Sequence, residues 1–284
     1  MMEFPELDFL SVAKWVDSAM GWLLTNLDGF FRGIKAVILQ VTLAFEWIFL
    51  TLPWFVWILF VIAGGRFLLK SWKKGLVFAA MLFFVGSVGY WELAMRTMAL
   101  VSSSVLFALL IGIPLGISMA RRDGFERVMK PLLDAMQTMP SFVYLIPALM
   151  FFGLGRVPAM IATLIYAVPP VIRLTNVGIR TVDPEAVEAA RAFGATKRQI
   201  LFDVQLPLAR PSIMVGINQT TMMALAMVVI GSMIGAKGLG MEVLLAINRI
   251  EVGRGFEAGL SIVFLAIIID RLTHSFAIDK KNAS

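Results

Sequence analysis

Residues 188–194 read Glu188-Ala-Ala-Arg-Ala-Phe-Gly194, and after nine further residues the chain continues with Val204-Gln-Leu-Pro207. This polar stretch lies between two long apolar segments. Asp183 is a favourable N-cap, Pro184 suits the first position of a helix, and Gly194 can adopt the left-handed conformation that ends one. The sequence therefore predicts a short helix that begins after Asp183 and stops at Gly194.

A second helix is predicted directly after the first. Thr196 and Gln199 have the spacing of a capping box, which marks a helix start. Leu206-Pro207 is expected to end this run, because proline disfavours the interior of a helix. The predicted unit is therefore a short helix, a sharp bend and a second helix.

The first predicted helix is slim and has a polar face. Its small side chains belong to Ala186, Ala189, Ala190 and Ala192. The side chains available for polar contacts belong to Glu185, Glu188 and Arg191. This pattern favours a docking element, a knob that enters a groove on another surface.

The composition places the chain in a membrane. Of its 284 residues, 59% are hydrophobic and only 15% are charged, which is too apolar for an ordinary soluble domain. The absence of cysteine excludes disulfides and thiolate sites, and the single His274 excludes a multi-histidine metal centre. Nucleic-acid binding is not expected despite the net charge of +6, because the basic residues lie in short clusters between apolar runs.

Seven apolar segments have the character of membrane spans. They cover about residues 53–69, 75–93, 97–120, 140–154, 157–177, 211–234 and 258–269. Residues 9–50 carry apolar positions at helical spacing interrupted by charges, so they predict two amphipathic helices along the membrane surface or against the bundle. The expected fold is an all-α, polytopic transmembrane bundle.

Four parts are expected along the chain. They are amphipathic N-terminal helices over 1–50, peripheral spans over 51–96, a core over 97–275 that contains the 183–207 loop, and a tail over 276–284. Most Lys and Arg residues fall on the side of the 183–207 loop, which predicts that this loop and the C-terminus are cytoplasmic. With seven spans, the N-terminus is then expected outside.

The polar loop resembles the signature cytoplasmic loop of permease subunits in binding-protein-dependent ABC importers. The residues that carry the resemblance are Glu188, Ala189, Ala190, Gly194, Val204, Leu206 and Pro207, with Val204 where Ile is commoner. Three further stretches, 131–147, 169–175 and 218–220, are similar to the glycine betaine/proline branch of that family. The similarity covers about residues 97–275.

The resemblance implies a type I ABC importer permease in the bacterial inner membrane. It implies that the loop is a coupling helix in a cleft of a separate ATPase, and that a homodimer of permeases works with two ATPase subunits and an extracytoplasmic substrate-binding protein. The implied mechanism is alternating access driven by ATP. The coupling residues are then Glu185, Glu188, Ala189, Ala190, Arg191, Gly194, Leu206 and Pro207.

The sequence itself supports a separate ATPase. No G-x-x-x-x-G-K-[ST] phosphate loop occurs, and Gly235-Ala-Lys-Gly-Leu-Gly240 has the wrong spacing to form one. This chain is therefore expected to be no enzyme and to hold no cofactor, with ATP and Mg²⁺ on the partner ATPase.

Two groups of residues are candidates for lining a transport pathway. Polar side chains inside a span are costly in lipid. The sixth span contains four of them in a row, Asn218, Gln219, Thr220 and Thr221. Aromatic faces favour methylated ammonium groups, and the candidates are Tyr90, Trp91, Phe142, Tyr144 and Tyr166. Hydrogen bonding between helices and the aromatic belt of the membrane interface explain the same residues without a pathway. Ser102, Ser103 and Ser104 are expected to permit close helix packing, and Asp134 and Arg173 to be structural or coupling charges.

Two other functions remain as alternatives. An ion-gradient-driven secondary transporter would also use buried polar residues, although the spans contain almost no central carboxylates for coupling ions. A membrane enzyme would need convergent catalytic groups, and the sequence offers no such set. Within the importer interpretation, glycine betaine, proline betaine, choline and carnitine are not distinguished.

Overall fold

The computed structural model describes residues 12–278, and its described residues form helices and connecting turns with no strand. The first six helices are α1 (Val12–Asn26), α2 (Asp28–Thr51), α3 (Trp54–Phe67), α4 (Trp72–Ser87), α5 (Trp91–Arg121) and α6 (Asp123–Thr138). The next four are α7 (Phe142–Phe152), α8 (Arg156–Arg180), α9 (Pro184–Ala192) and α10 (Lys197–Gln199). A π-helical segment (Ile200–Gln205) leads into α11 (Leu206–Ser232), and α12 (Leu239–Arg249) and α13 (Val252–Ile278) are the last helices among the described residues.

Helix α8 is the centre of the bundle, and it contacts α5 through glycine. A Cβ atom on Gly112 would lie 2.5 Å from Cγ1 of Val171, and one on Gly116 would lie 2.6 Å from Cβ of Thr175. Residue numbers rise together along this contact, so α5 and α8 run parallel. Both helices therefore end at the same end of the bundle, where α9 follows, and we call it the loop end.

Helix α11 packs on another face of α8 by the same means. A Cβ atom on Gly216 would lie 3.1 Å from Cα of Val171, and one on Gly178 would lie 2.8 Å from Cβ of Ser212. Here the numbers run in opposite directions, so α11 is antiparallel to α8 and starts at the loop end. Small residues at such crossings let two backbones approach closely, which is how helices associate in lipid.

Helices α3 and α4 form a peripheral hairpin against α13. Its two arms meet at glycine, because a Cβ atom on Gly65 would lie 2.3 Å from Cα of Gly75. The rings of Phe84 and Phe264 are 5.4 Å apart, and a Cβ atom on Gly64 would lie 2.8 Å from Cδ2 of Leu272. The α3–α4 turn therefore lies beside the C-terminal part of α13, at the loop end.

Helix α2 is attached to the opposite end of the bundle. The half-buried Arg96 and Arg156, from the starts of α5 and α8, both contact the buried carboxylate of Glu46, with Arg156 at 2.7 Å. Phe31 stacks on Phe151 at the end of α7, with ring centroids 4.1 Å apart. Two helices, α1 and α2, occupy the region 9–50 in which two amphipathic helices were predicted, while residues 9–11 lie outside the described residues.

The boundaries of the spans differ from those predicted. Within residues 12–278, five helices could each cross a membrane by length and apolarity, where seven spans were predicted. One of the five is α2, which sequence analysis had classed as amphipathic. The other four are α5, α8, the continuous helix Lys197–Ser232 and Val252–Ser275, and α6 with α7 could form a sixth although they are bent by 97°. Helices α3 and α4, which were predicted as spans 53–69 and 75–93, have only 14 and 16 residues and are therefore shorter than predicted.

The last two predicted segments also need correction. The predicted seventh span, 258–269, is too short, because α13 starts at Val252 and continues past it. The Gly-rich and charged stretch 235–257, which was left between the sixth and seventh predicted spans, contains α12. Its first residue, Leu239, donates its backbone N–H to the hydroxyl of Thr97 at 2.9 Å, so contacts with α5 hold a helix that the glycine-rich sequence did not suggest. Residues 279–284 of the predicted tail lie outside the described residues.

We expect Gly116→Ala to destabilise the bundle by about 1–3 kcal/mol, because the new methyl group would overlap Thr175 and the carbonyl of Ile172. Thermal unfolding of the purified protein in detergent would measure the effect. Gly33→Ala on α2 is the control, since no atom lies within 4 Å of its added Cβ. Equal unfolding temperatures for the two variants would contradict the close-packing assignment.

Candidate functional site

Helix α9 is built as its sequence predicts. The Asp183 carboxylate accepts a hydrogen bond from the backbone N–H of Glu185 at 2.9 Å, and Pro184 occupies the first turn. Gly194 has φ of +81°, so it takes the left-handed conformation that ends the helix. The predicted start and stop of the short helix are therefore confirmed.

The capping box that follows is also confirmed, but its helix does not end where predicted. The backbone N–H of Gln199 bonds the Thr196 hydroxyl at 3.3 Å, and Gln199 Oε1 accepts from the Thr196 backbone N–H at 2.9 Å. The helix then continues through the π-helical segment and past Pro207 into α11. Proline is tolerated at this point because it lies in the first turn of α11, directly after a π segment whose hydrogen bonds already skip one residue.

A small apolar cluster attaches α9 to the bundle. Val187 of α9 packs with the buried Ile179 and Val182 of the preceding segment and with Leu201 and Ala209 of the following one. The cluster therefore joins the end of α8, α9 and the start of α11 in one packed unit. A cavity of about 290 Å³ remains beside α9, and its lining includes Arg180, Glu188, Arg191 and Gln205.

Most of the predicted coupling residues are on the exposed face of α9. The exposed ones are Glu185, Glu188, Ala189, Arg191 and Gly194, while Ala190 is half-buried. Leu206 and Pro207 are separate from this face. Leu206 packs with the apolar cluster under α9, and Pro207 is exposed on α11.

Phe193 is a prominent residue of this surface that sequence analysis did not select. Its side chain is 93% exposed, at the tip where α9 ends. It is a large apolar side chain next to the exposed face of α9, whose other exposed candidates are charged or small. Its position between a predicted helix and its glycine stop was the signal that could have identified it.

The predicted pathway residues do not form one site within a single chain. Tyr90 and Trp91 pack in the cluster around α4 and the start of α5. Tyr144 is buried and donates its hydroxyl hydrogen bond to the carbonyl of Met136, and Tyr166 packs in the same cluster as Tyr144. Phe142 is 51% exposed at the start of α7.

The four consecutive polar residues of α11 lie on different faces of the helix. Asn218 donates to the Asp270 carboxylate at 2.8 Å and accepts from the Thr273 hydroxyl at 2.6 Å, so it joins α11 to α13. Gln219 is exposed, and Thr221 bonds the carbonyl of Ile217. Thr220 is fully buried, and its hydroxyl has no partner among the described residues. Asp270 and Thr273, which complete the contact of Asn218, were not predicted.

The other polar residues considered in the sequence make local contacts. Ser103 and Ser104 are buried and both bond the carbonyl of Leu100, while Ser102 is half-buried. Arg173 pairs with Asp134 at 2.6 Å, which joins α8 to α6. Within residues 12–278, no three His, Asp or Glu side chains converge to hold a metal ion.

Comparisons with known proteins agree closely with one another. Residues 112–277 match the family described as the binding-protein-dependent transport system inner membrane component. The chain is 46% identical over 275 residues to the glycine betaine/carnitine transport permease protein of Listeria monocytogenes, covering 96% of this chain and 97% of that protein. It is 44% identical over 269 residues to the glycine betaine/proline betaine transport system permease protein of Escherichia coli, covering 95% of this chain and 76% of that protein.

The fold is also similar to a solved transporter structure. An inward-facing conformation of the MetNI methionine ABC transporter matches with a TM-score of 0.57 and 22% identity, covering 69% of this chain and 98% of that chain. At this identity the match shows a shared fold.

Proposed function

The chain belongs to the family of binding-protein-dependent transport system inner membrane components, and we propose that it is the permease subunit of an ATP-driven importer of glycine betaine and related methylated amines. The observation that carries this proposal is the 46% identity that extends over nearly the full length of both chains. The packed and capped α9 supports it independently, since an importer permease needs a rigid contact for its ATPase. An ion-gradient-driven transporter receives no support from these comparisons.

The substrate class follows from the relatives. The Listeria protein is a permease for glycine betaine and carnitine, and the Escherichia coli protein is one for glycine betaine and proline betaine. These substrates share a quaternary ammonium group, which cannot donate hydrogen bonds and is favoured near aromatic rings. Choline carries the same group and belongs to the proposed class. Tyr144 and Tyr166, which pack in one cluster, are the aromatic pair that we propose for such a group.

The proposed site of contact with the ATPase is the exposed face of α9. Glu185, Glu188 and Arg191 supply polar contacts there, Ala189 allows close approach, and Phe193 supplies apolar area. The cluster around Val187 supports the transmission step, because it ties α9 to α8 and α11. Movement of α9 would then move both spans together.

The proposed assembly contains two copies of this chain, two ATPase subunits that bind ATP and Mg²⁺, and a substrate-binding protein on the far side of the membrane. Gln219, an exposed amide on an apolar span, suits a position between the two permeases. We place the loop end in the cytoplasm of a bacterial cell and the N-terminus outside, with residues 97–275 as the permease core. Alternating access follows when the ATPase subunits close and move the two α9 helices.

Transport by reconstituted protein would test the function directly. We expect proteoliposomes that hold this chain and its ATPase to accumulate labelled glycine betaine when the binding protein is outside and ATP is inside, with ionophores present. A non-hydrolysable ATP analogue is the control and should abolish uptake. Accumulation that needs an imposed ion gradient and no ATP would contradict the proposal.

We expect Gly194→Val to uncouple ATP hydrolysis from uptake while the protein still inserts. The residue needs a positive φ, and a β-branched side chain in that conformation costs at least about 1–2 kcal/mol. The added side chain meets no neighbouring atom, so the effect would come from the bend that aims α9. Uptake and ATPase stimulation in proteoliposomes are the measurements, and Gly33→Val on α2 is the matched control. Wild-type values for both activities in the Gly194 variant would refute this role.

We expect Phe193→Ser to weaken binding of the ATPase by about tenfold or more, because truncating a buried anchor at the centre of an interface costs about 2 kcal/mol or more. The fold of the permease variant should be unaffected, since the Phe193 side chain is 93% exposed. Affinity for the purified ATPase in nanodiscs would measure the effect. Phe30→Ser at the opposite end is the control, and unchanged affinity for the Phe193 variant would show that α9 binds without it.

A further inference from the structure

The α3–α4 turn carries an unbalanced cluster of positive charge. Arg66, Lys70, Lys73 and Lys74 lie within nine residues, and all four are exposed. The sequence contains no Asp or Glu between Glu46 and Glu92, so the hairpin itself has no carboxylate. None of the four forms an ion pair with any described residue.

The backbone holds these charges close together. Gly65 and Gly75 are in contact. Arg66 follows Gly65 and Lys74 precedes Gly75, so the backbones of these two cations are close together. The Ser71 backbone N–H bonds the carbonyl of Gly65 at 3.0 Å, which closes the turn. Four like charges repel one another in this arrangement, and an anion from outside the hairpin would relieve that repulsion.

The length of the hairpin determines the depth of the cluster. Helices of 14 and 16 residues extend only about 21 and 24 Å, whereas the hydrocarbon core of a bilayer is about 30 Å thick. A hairpin that starts at the opposite interface therefore ends within about 6–9 Å of the boundary at the loop end, and long Lys and Arg side chains extend from there to the phosphates. Phe67 and Trp72, 76% and 60% exposed, flank the cluster and have the side chains typical of that boundary.

We propose that Arg66, Lys70, Lys73 and Lys74 form a binding site for the headgroups of anionic phospholipids at the loop end of the bundle. The occupant is a lipid because the cations are combined with exposed aromatic side chains at interfacial depth. A phosphatidylglycerol headgroup would supply the missing negative charge while its acyl chains contact the apolar hairpin. The site is separate from α9 and does not depend on the transport function.

Lipid retention by the assembled transporter tests the proposal. The complex would be reconstituted in nanodiscs with equal amounts of phosphatidylglycerol and phosphatidylcholine of the same acyl chains, extracted into detergent and analysed by native mass spectrometry. We expect selective retention of phosphatidylglycerol. Neutralising three charges with Lys70→Gln, Lys73→Gln and Lys74→Gln should lower that selectivity by about tenfold or more, because three of the four cations that attract the anionic headgroup are removed. Replacing the same lysines by arginine should preserve it.

The matched control removes three other cations at the loop end, with Arg121→Gln, Arg122→Gln and Arg127→Gln. These three cations are also exposed and form no ion pair with a described residue, since Asp123 and Glu126 pair with Arg180 and Lys130. The control leaves the cluster at the α3–α4 turn intact, so it should keep most of its selectivity. An equal loss in the control would overturn the proposal in favour of general attraction by a basic face. No selectivity in the wild type would overturn it as well.

Two further measurements separate a lipid from other anions. Excess inorganic phosphate should not displace the retained phosphatidylglycerol, and displacement would indicate a free-phosphate site instead. The lysine variant should still copurify with the ATPase, and loss of the ATPase would indicate that the cluster binds an acidic protein surface. Thermal unfolding of the variant checks its fold, and Lys70→Gly provides a second variant, because Lys70 has φ of +52° and glycine fits that conformation better.

Discussion

The close packing of α8 between α5 and α11 is the constraint on which the rest of the structure depends. Lipid gives no hydrophobic drive for helices to associate, so contact requires that the backbones approach closely. Gly112 and Gly116 provide this approach on one side of α8, and Gly178 and Gly216 provide it on another. The remaining helices surround these three, and α9 is aimed by two of them.

This arrangement explains how a small, exposed helix can act on a large bundle. Helix α9 contributes little buried area of its own, yet it connects the end of α8 with the start of α11 and is held by the cluster around Val187. At the opposite end, Glu46 holds the starts of α5 and α8 through Arg96 and Arg156. Breaking such a buried pair leaves an uncompensated charge, so α2 is fixed to these two spans. A force on α9 therefore reaches the other end of the chain through packed helices.

Local signals were predicted from the sequence, and contacts between distant segments were not. Asp183, Gly194 and the pair Thr196 and Gln199 were identified correctly because capping depends only on neighbouring residues. The stop at Pro207 was wrong because a π-helical segment, which single-sequence rules do not anticipate, absorbs the proline. The partners of Asn218 lie on α13, more than fifty residues away, and periodicity carries no information about them. The ion pairs of Glu46 on α2 were not predicted for the same reason, since its partners Arg96 and Arg156 lie on other helices.

Because of the π-helical segment, the number of residues between Gly194 and Val204 also sets the direction in which α9 points. Each residue of an α-helix turns the chain by about 100°, and a π segment contains one more residue than the α-helix it replaces. Deleting a single residue between Ile200 and Gln205 would therefore rotate everything before it, including α9, by roughly 100° about the axis of α11. The nine residues between Gly194 and Val204 thus define a direction as well as a distance, and insertions or deletions there would turn the exposed face of α9 away from the proposed contact with the ATPase.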